Sequence, residues 1–120
     1  SDLPQPPASF LALSPYIDAA GTRSSELAEC VGISKQAVGK LVNEYEQIGL
    51  LVREADESDG RAWRVLVTDK GLQLLAQTYR AVARVERHYE SLLGPSKFAA
   101  VRTALRTIAD DTIKAGKAKS

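Results

Sequence analysis

Residues 25–51 carry two amphipathic patterns separated by a glycine, and this arrangement constrains the fold more than any other feature of the chain. In the first pattern, Leu27 and Val31 share one helical face. Gly32 follows, and a residue without Cβ readily adopts the left-handed conformation that ends a helix. A longer pattern begins after Ser34, whose hydroxyl can cap the new helix. Two helices joined by so short a turn are typical of a helix-turn-helix.

The second of these helices has two contrasting faces. Its apolar residues recur every three or four positions, and they are Val38, Leu41, Val42, Tyr45 and Ile48. The opposite face holds short, positively charged or hydrogen-bonding side chains, which are Lys35, Gln36, Ala37, Gly39, Lys40 and Asn43. Such a face suits the major groove of DNA, where base edges are read. The sequence therefore predicts a DNA-reading helix.

Charge is distributed unevenly along the chain. Net charge is only +1 over 120 residues, which is not the strongly basic balance of a protein that coats itself in phosphate. Residues 22–71 hold seven Lys and Arg against nine Asp and Glu, a balance of −2, whereas residues 72–120 hold nine against four, or +5. The region expected to read DNA is slightly acidic. DNA binding must then rest on a few well-placed cations.

The residue inventory argues against several classes of protein. Cys30 is the single cysteine, which excludes an internal disulfide and a zinc cluster built on cysteines. With one cysteine, one histidine (His88), no nucleophile elbow and no phosphate-binding glycine loop, we expect no enzyme, cofactor or metal. No apolar run approaches the roughly 18 residues that span a bilayer, and no leader resembles a signal peptide, so we expect a cytoplasmic protein without a membrane partner. Methionine is absent even at position 1, so we expect that the chain begins after processing, tag removal or truncation.

The flanks of the helix-turn-helix predict an arm, a helix and a hairpin. Residues 1–7 include three prolines and predict an extended arm. A helix is expected from Ala8, with Pro15 kinking or restarting it before an end at residues 19–21. Strand-like runs at residues 50–53 and 62–68 surround a polar stretch with four acids, interpreted as a solvated hairpin loop.

The last third of the chain predicts two long amphipathic helices. Thr68 is expected to cap the first, with Asp69 near its positive end. Its apolar residues fall at spacings of three and four, with Glu86 interrupting the row of Leu72, Leu75, Tyr79, Val82, Tyr89 and Leu93. After a break at Gly94 and Pro95 the spacing resumes to about Thr112 at Phe98, Val101, Leu105 and Ile108, and residues 114–120 are expected to fray. Two such helices need a partner surface.

The order of three helices and a hairpin is that of a winged helix, and residues 22–71 resemble MarR-type transcriptional regulators. The matching residues are Glu26, Leu27, Ala28, Gly32, Ser34, Val38, Leu41, Val42, Gly49, Leu50, Asp59, Arg61, Val67, Thr68 and Gly71, the wing reading DGRAWRVLVTDKG. The resemblance implies a mainly α fold with a small β-hairpin wing (α+β), flanked by long dimerisation helices. It also implies a homodimer that binds pseudo-palindromic double-stranded DNA.

The resemblance further implies roles for single residues. It places Ser34, Lys35, Gln36, Ala37 and Lys40 against the major groove. We expect Gln36 to pair with an adenine edge and Lys35 with guanine. Ser34, Lys40 and Asn43 suit phosphates better.

At the wing, Arg61 either enters a minor groove or pairs with Asp59, and Arg64 is a further cation that has to be aimed at DNA. Two glycines depart from the family pattern. Gly60 stands where a second arginine is frequent, and Gly39 stands where a serine or threonine often faces DNA. Glycine costs a helix about 1 kcal/mol relative to alanine. We interpret Gly39 as a tolerated exposed glycine rather than a point of close backbone approach to DNA.

Cysteine and the aromatic residues receive ordinary structural interpretations. Cys30 has no basic neighbour within two positions to lower its pKa, so we favour packing over redox sensing, and we place His88 at a surface or interface. Trp63 is expected to pack against the body of the domain. The four tyrosines, Tyr16, Tyr45, Tyr79 and Tyr89, are expected in the core or the interface, the alternative being a pocket for a small aromatic effector.

The whole chain is predicted to be one compact domain in three parts. Residues 1–21 form the arm and first helix, residues 22–71 the winged helix-turn-helix, and residues 72–120 the dimerisation helices. Repression is expected, because occupancy alone blocks a promoter. Two alternatives remain open: a winged-helix protein-interaction module with little or no DNA binding, and a small-molecule-binding protein whose DNA activity is secondary. Salt-dependent binding to random duplex separates the first alternative from a regulator.

Overall fold

A computed structural model describes residues 7–119, so the arm expected at residues 1–6 lies outside the described part. The elements are α1 (Ala8–Leu13), a 3-10 turn (Ser14–Tyr16), β1 (Thr22–Arg23), α2 (Ser24–Val31), α3 (Lys35–Gln47), β2 (Leu51–Asp56), β3 (Asp59–Val67), α4 (Asp69–Leu93) and α5 (Pro95–Lys119). The mainly helical winged helix-turn-helix predicted from the sequence is confirmed.

The helical segment before β1 is shorter than predicted. Pro15 interrupts it as expected, because α1 ends at Leu13 and a 3-10 turn follows. The chain then leaves the helix at Ile17 instead of continuing to residues 19–21. Thr22 explains this, since its Oγ1 accepts from the amide of Asp18 at 2.9 Å and donates to the carbonyl of Tyr16 at 3.1 Å.

The helix-turn-helix forms at the predicted residues. Gly32 adopts φ +78°, in the left-handed region, and its amide donates to the carbonyl of Ala28 at 2.9 Å. Ser34 caps α3, with its hydroxyl oxygen accepting from the amide of Ala37 at 3.0 Å. The glycine turn and the serine cap therefore set the angle between α2 and α3.

The sheet has three antiparallel strands in the order β1-β3-β2, so the prediction of a two-stranded hairpin was incomplete. Thr22 pairs with Val65, and a strand as short as β1 shows no periodicity in the sequence. The hairpin strands are also longer than predicted. Only residues 57–58 separate them, because most of the acidic stretch continues the strands.

One apolar core joins the helix-turn-helix, the sheet and the first turns of α4. Its buried residues are Phe10, Leu13, Leu27, Ala28, Val38, Val42, Tyr45, Leu50, Leu51, Val65, Leu74 and Leu75. Tyr45 of α3 packs edge-on against Phe10 with ring centroids 5.6 Å apart, and its hydroxyl hydrogen-bonds to Ser9. α1 is thereby fixed against α3.

The start of α4 is fitted tightly to the end of α3. Thr68 caps α4 as predicted, accepting from the amide of Gly71 at 3.0 Å. A Cβ on Gly71 would lie 2.5 Å from the carbonyl oxygen of Leu50, so only glycine fits there. Lys70 donates to the carbonyl of Ile48 at 2.7 Å. Orphan carbonyls at the end of α3 are thus satisfied by residues that begin α4.

α4 and α5 expose much of their apolar surface. Leu74 and Leu75 at the start of α4 are buried, but farther along apolar side chains face solvent, including Tyr79, Val82, Val85, Tyr89, Leu92, Leu93, Val101, Leu105 and Ile108. The radius of gyration is 16.7 Å, against about 14 Å for a compact domain of this length. Over residues 7–119, no helix combines the length and apolarity needed to cross a bilayer.

The end of α5 differs from the prediction. The spacing of the apolar residues predicted that α5 ends near Thr112 and that the tail frays from Lys114, whereas the helix continues to Lys119. The prediction was wrong because it relied on apolar periodicity. Alanine and lysine have high intrinsic helix propensity, and they extend a helix without an apolar row.

Candidate nucleic-acid interface

The outer face of α3 presents the predicted site residues together. Ser34, Lys35, Gln36, Lys40 and Asn43 are all exposed. Gln36, Lys40 and Asn43 follow one another at spacings of four and three, so they form one outward line along the helix. Ala37 and Gly39 lie partly buried beside that line. The structure therefore assembles a continuous polar and basic surface from one helix.

Ser34 serves the fold and remains available to a ligand. Its oxygen accepts from the amide of Ala37, which satisfies one of the first amides of α3. A hydroxyl can accept and donate at once. The hydroxyl hydrogen of Ser34 is therefore compatible with the predicted phosphate contact at the positive end of the helix.

At the tip of the wing, Arg61 is exposed. Asp59 accepts from the backbone amide of Arg61 at 3.0 Å, so this carboxylate orders the turn. No ion pair involves the guanidinium of Arg61 within residues 7–119. The alternative in which Asp59 neutralises this guanidinium is thus not the arrangement seen, and the charge faces outward.

Arg64 points instead toward the body of the domain. Its guanidinium donates to the carbonyl of Gly21 at 3.0 Å, and its Nε lies 3.6 Å from Oδ2 of Asp56. Both contacts fasten β3 to neighbouring segments. Contact between Arg64 and DNA stays a prediction, and it would compete with these internal contacts.

Asp56 corrects the interpretation of the acidic stretch as a solvated loop. Its carboxylate is 3% exposed and lies 2.6 Å from Nε of Arg23. Hydrogen bonds from the hydroxyl and the amide of Ser58, at 2.7 and 2.9 Å, and then the charge of Arg23, lower the pKa of Asp56 to about 2 against the opposing effect of burial. The residue carries a compensated negative charge that ties the wing to β1.

Arg53 is a residue that the sequence analysis missed. It reaches from β2 to α3, where its NH2 group donates to the carbonyl of Gly39 at 3.1 Å and to Oδ1 of Asn43. Its Nε lies 3.1 Å from Oε1 of Glu46, close enough for a charge contact although no hydrogen bond forms there. The guanidinium also stacks 4.1 Å above the ring centre of Trp63, which packs on the core as predicted. Alternation with the buried Leu51 was the available signal, because it places an arginine on the inward face.

The ion pairs of residues 22–71 use three of the seven cations and two of the nine acids, so they do not offset the −2 balance but show which cations stay unpaired. Glu46 is paired with Arg53, and Asp56 is paired with Arg23 and Arg64. In the part of the chain that the structure describes, the cations outside every ion pair include Lys35, Lys40 and Arg61. Cationic groups are therefore left free on the recognition helix and at the wing tip.

The remaining candidates lie away from this surface. Cys30 is a half-buried free thiol. His88 is exposed, with its ring centre 6.0 Å from that of Tyr89. Tyr79 and Tyr89 are about half exposed on α4, whereas Tyr16 packs against the core.

Comparison with known proteins identifies relatives with this arrangement. Residues 7–62 match the profile of the MarR family. A Thauera aromatica protein named as a transcriptional regulatory protein for the hcr operon is 30% identical over 77 residues, which cover 64% of this chain and 46% of that protein. The chain therefore spans about half the length of this curated relative.

Solved structures extend the likeness over most of the chain. CouR, a transcriptional repressor bound to a 23-mer DNA duplex, is 33% identical with a TM-score of 0.64, over 83% of this chain and 69% of CouR. AbsC, a MarR family transcriptional regulator from Streptomyces coelicolor, is 30% identical with a TM-score of 0.58, over 86% of this chain and 70% of AbsC. Members of this family regulate transcription and are not enzymes. The chain has a helix-turn-helix with a glycine at the turn, followed by a β-hairpin wing, and it shares this fold with these relatives. It therefore belongs to the MarR family of transcriptional regulators.

Proposed function

We propose that this protein is a sequence-specific DNA-binding transcriptional repressor that binds a pseudo-palindromic operator as a homodimer in the cytoplasm. Residues 22–71 read DNA and residues 72–120 dimerise. The observation that carries the proposal is the line of exposed polar and basic side chains on α3, accompanied by the outward charge of Arg61.

The proposed contacts divide into reading and holding groups. Lys35, Gln36 and Ala37, at the start of α3, meet base edges in the major groove, as the first turn of a recognition helix does. Ser34, Lys40 and Asn43 hold phosphates. Arg61 enters the minor groove. Arg64 should contribute less to DNA binding than Arg61, because its guanidinium already contacts Gly21 and Asp56.

Dimerisation is supported by the exposed apolar rows of α4 and α5. A monomer of this size seldom leaves so many large apolar side chains in water. Pairing two copies through these helices would hold the two recognition helices about 34 Å apart, which is one turn of DNA.

Repression and an effector complete the proposal. CouR, which shares this fold, is a repressor bound to DNA. Release by a small aromatic effector is supported by the family resemblance alone. Thermal unfolding in the presence of a panel of aromatic acids tests it: an acid that raises the midpoint of the free protein and also weakens its binding to operator supports competition between the two ligands.

The central experiment selects bound sequences from a random duplex pool. A two-fold symmetric consensus with half-sites about 10 base pairs apart is expected from a dimer. Binding to the selected duplex and to random duplex is then measured from 50 to 200 mM salt. A steep dependence on salt is expected for both, because phosphate contacts release counterions.

Three variants give this experiment its resolution. Lys40→Ala should weaken both duplexes equally and lower the salt slope by about 1. Arg61→Ala should cost about 1–3 kcal/mol of binding free energy. Arg84→Ala removes one positive charge from the polar face of α4 and should change neither quantity.

Two results would overturn the proposal. Unchanged isotherms for both Lys40→Ala and Arg61→Ala would remove the assignment of these residues to DNA. A salt slope near zero with no enriched sequence would favour the second candidate, a protein-interaction module. That candidate is favoured by Gly60, which leaves the wing tip with one arginine instead of two.

A further inference from the structure

Arg53 occupies a position where an arginine is unexpected. It pairs across the hairpin with Val65, which is fully buried, so both residues share the face of the sheet that packs on α3. A charged group at such a position is unfavourable unless its donors find partners. On α3, the NH2 group of Arg53 donates to the carbonyl of Gly39 and to the amide oxygen of Asn43, and the carboxylate of Glu46 lies within charge contact of the guanidinium.

The contact with Asn43 fixes the orientation of an amide. A side-chain amide has one acceptor oxygen and one NH2 donor group, and a guanidinium has donors only. Arg53 can therefore bond only the oxygen of Asn43, which leaves the NH2 group directed away from it. Asn43 lies on the exposed line of α3 with Gln36 and Lys40. The group left free is thus the donor, which is what a phosphate oxygen requires.

We propose that Arg53 is a positioning residue for DNA recognition, which acts through Asn43 without contacting DNA. It holds the amide oxygen of Asn43 so that the NH2 group is presented to a phosphate. An unrestrained amide would also present its oxygen, which repels phosphate. The inference rests on the proposed DNA binding and adds a residue that this proposal did not include.

Trp63 makes the position of Arg53 measurable. It is the single tryptophan of the chain, and the guanidinium lies 4.1 Å above its ring centre. Stacking of this kind is favourable and sensitive to geometry, and lysine does not reproduce the planar fork. Tryptophan emission therefore reports whether Arg53 is in place, independently of DNA.

A double-mutant cycle tests the inference on the selected duplex. The variants are Arg53→Lys, Asn43→Ala and the double variant. We expect each single variant to weaken DNA binding about 3- to 10-fold. The double variant should bind DNA as well as the single variant of lower affinity, because both changes disrupt the same Arg53–Asn43 contact. Arg102→Lys is the matched control, since Arg102 also stacks on a ring, that of Phe98, and pairs with an acid, but on α5. It should leave DNA binding unchanged.

Two further variants separate positioning from direct contact and from folding. Arg53→Gln should leave the salt slope unchanged, because Arg53 touches no phosphate in the proposal. Asn43→Asp should remain folded, with a carboxylate that pairs with Arg53, yet bind DNA more weakly than Asn43→Ala. The thermal midpoint, measured on every variant, shows that the domain is intact, and Trp63 emission shows whether Arg53 stays stacked in the Asn43 variants.

The outcomes are distinct. Additive effects in the cycle, or a salt slope lowered by about 1 in Arg53→Gln, would overturn the inference while DNA binding by the wild type stands. Asn43→Asp binding as well as wild type would overturn it also, even if Arg53→Lys failed to fold. Absence of salt-dependent binding by the wild type would overturn the proposed function and this inference with it.

Discussion

Residues 22–71, the reading half, bury or half-bury most of their large apolar side chains, whereas the C-terminal helices α4 and α5 leave many of theirs exposed. Val38, Val42 and Val65 in the reading half are fully buried, whereas Leu92 and Ile108 in α4 and α5 are 67% and 62% exposed. The reading half therefore buries its apolar side chains within one chain, whereas α4 and α5 leave theirs exposed, as the proposed dimer requires.

The largest expected effect comes from the exposed helix faces. Introducing Val82→Glu together with Leu105→Glu should convert the proposed dimer to a monomer, because two charges would have to be buried in an apolar interface. Operator affinity should fall by roughly 100-fold or more, since the two reading heads would no longer be linked. Sedimentation equilibrium gives the mass and circular dichroism checks the helices.

Arg84→Glu serves as the control for this experiment. Arg84 lies on the opposite face of α4, so its variant should remain dimeric. A wild-type protein that is monomeric at micromolar concentration would remove the distinction between the two halves.

The next effect concerns the joint between the halves. Gly71→Ala places a Cβ 2.5 Å from the carbonyl oxygen of Leu50 and 2.7 Å from Cγ1 of Val67. Overpacking of this kind should lower the free energy of unfolding by about 1–3 kcal/mol, as measured by urea denaturation. Unchanged stability would mean that α4 can shift away from α3, so that the halves are joined loosely.

A smaller effect should appear in acid. The pKa of Asp56 is about 2 in the folded protein and lies below the ordinary value of 3.8. Its contribution to stability is therefore complete above about pH 4 and is lost as pH falls through 2. Asp56→Asn should be less stable at neutral pH and should show a shallower loss of stability between pH 4 and 2. Urea midpoints of both proteins measured from pH 4 to 2 test this prediction. If stability falls with pH in parallel for wild type and Asp56→Asn, the carboxylate of Asp56 does not contribute as predicted.

Gly39→Ala should have the smallest effect. A Cβ at this position meets no atom within 4 Å, so the structure leaves room for it. Helix propensity predicts a gain of up to about 1 kcal/mol in the free energy of unfolding, with operator binding unchanged. Weaker binding by a more stable variant would show that DNA approaches the backbone at Gly39.

Features set by local physics were predictable. The left-handed Gly32 and the caps at Ser34 and Thr68 depend on neighbouring residues in the chain, and all three are confirmed. The limits of the hairpin were not predictable in this way. Asp56 looked like part of a solvated loop, because its main charge partner, Arg23, lies 33 residues away in the sequence.

The residues of the predicted site divide along the same line. Exposure of Gln36 and Lys40 follows from helical periodicity, because burying Val38 and Val42 turns the other face outward. Nothing local shows that Arg53 holds Asn43, since the two lie on different elements. Nor does the sequence show that Arg64 contacts Gly21 and Asp56 while Arg61 forms no ion pair within the described residues.

By itself, then, the sequence determined the helix-turn-helix, the helix caps, the winged-helix family and the outward face of α3, because each depends on backbone preferences and periodicity over a few residues. The tertiary structure alone decided the third strand, the fit of Gly71 against Leu50 and the pairing of Arg53, Arg23 and Arg64. These contacts join residues that are distant in the chain, and their energies depend on distances that only the packed fold sets.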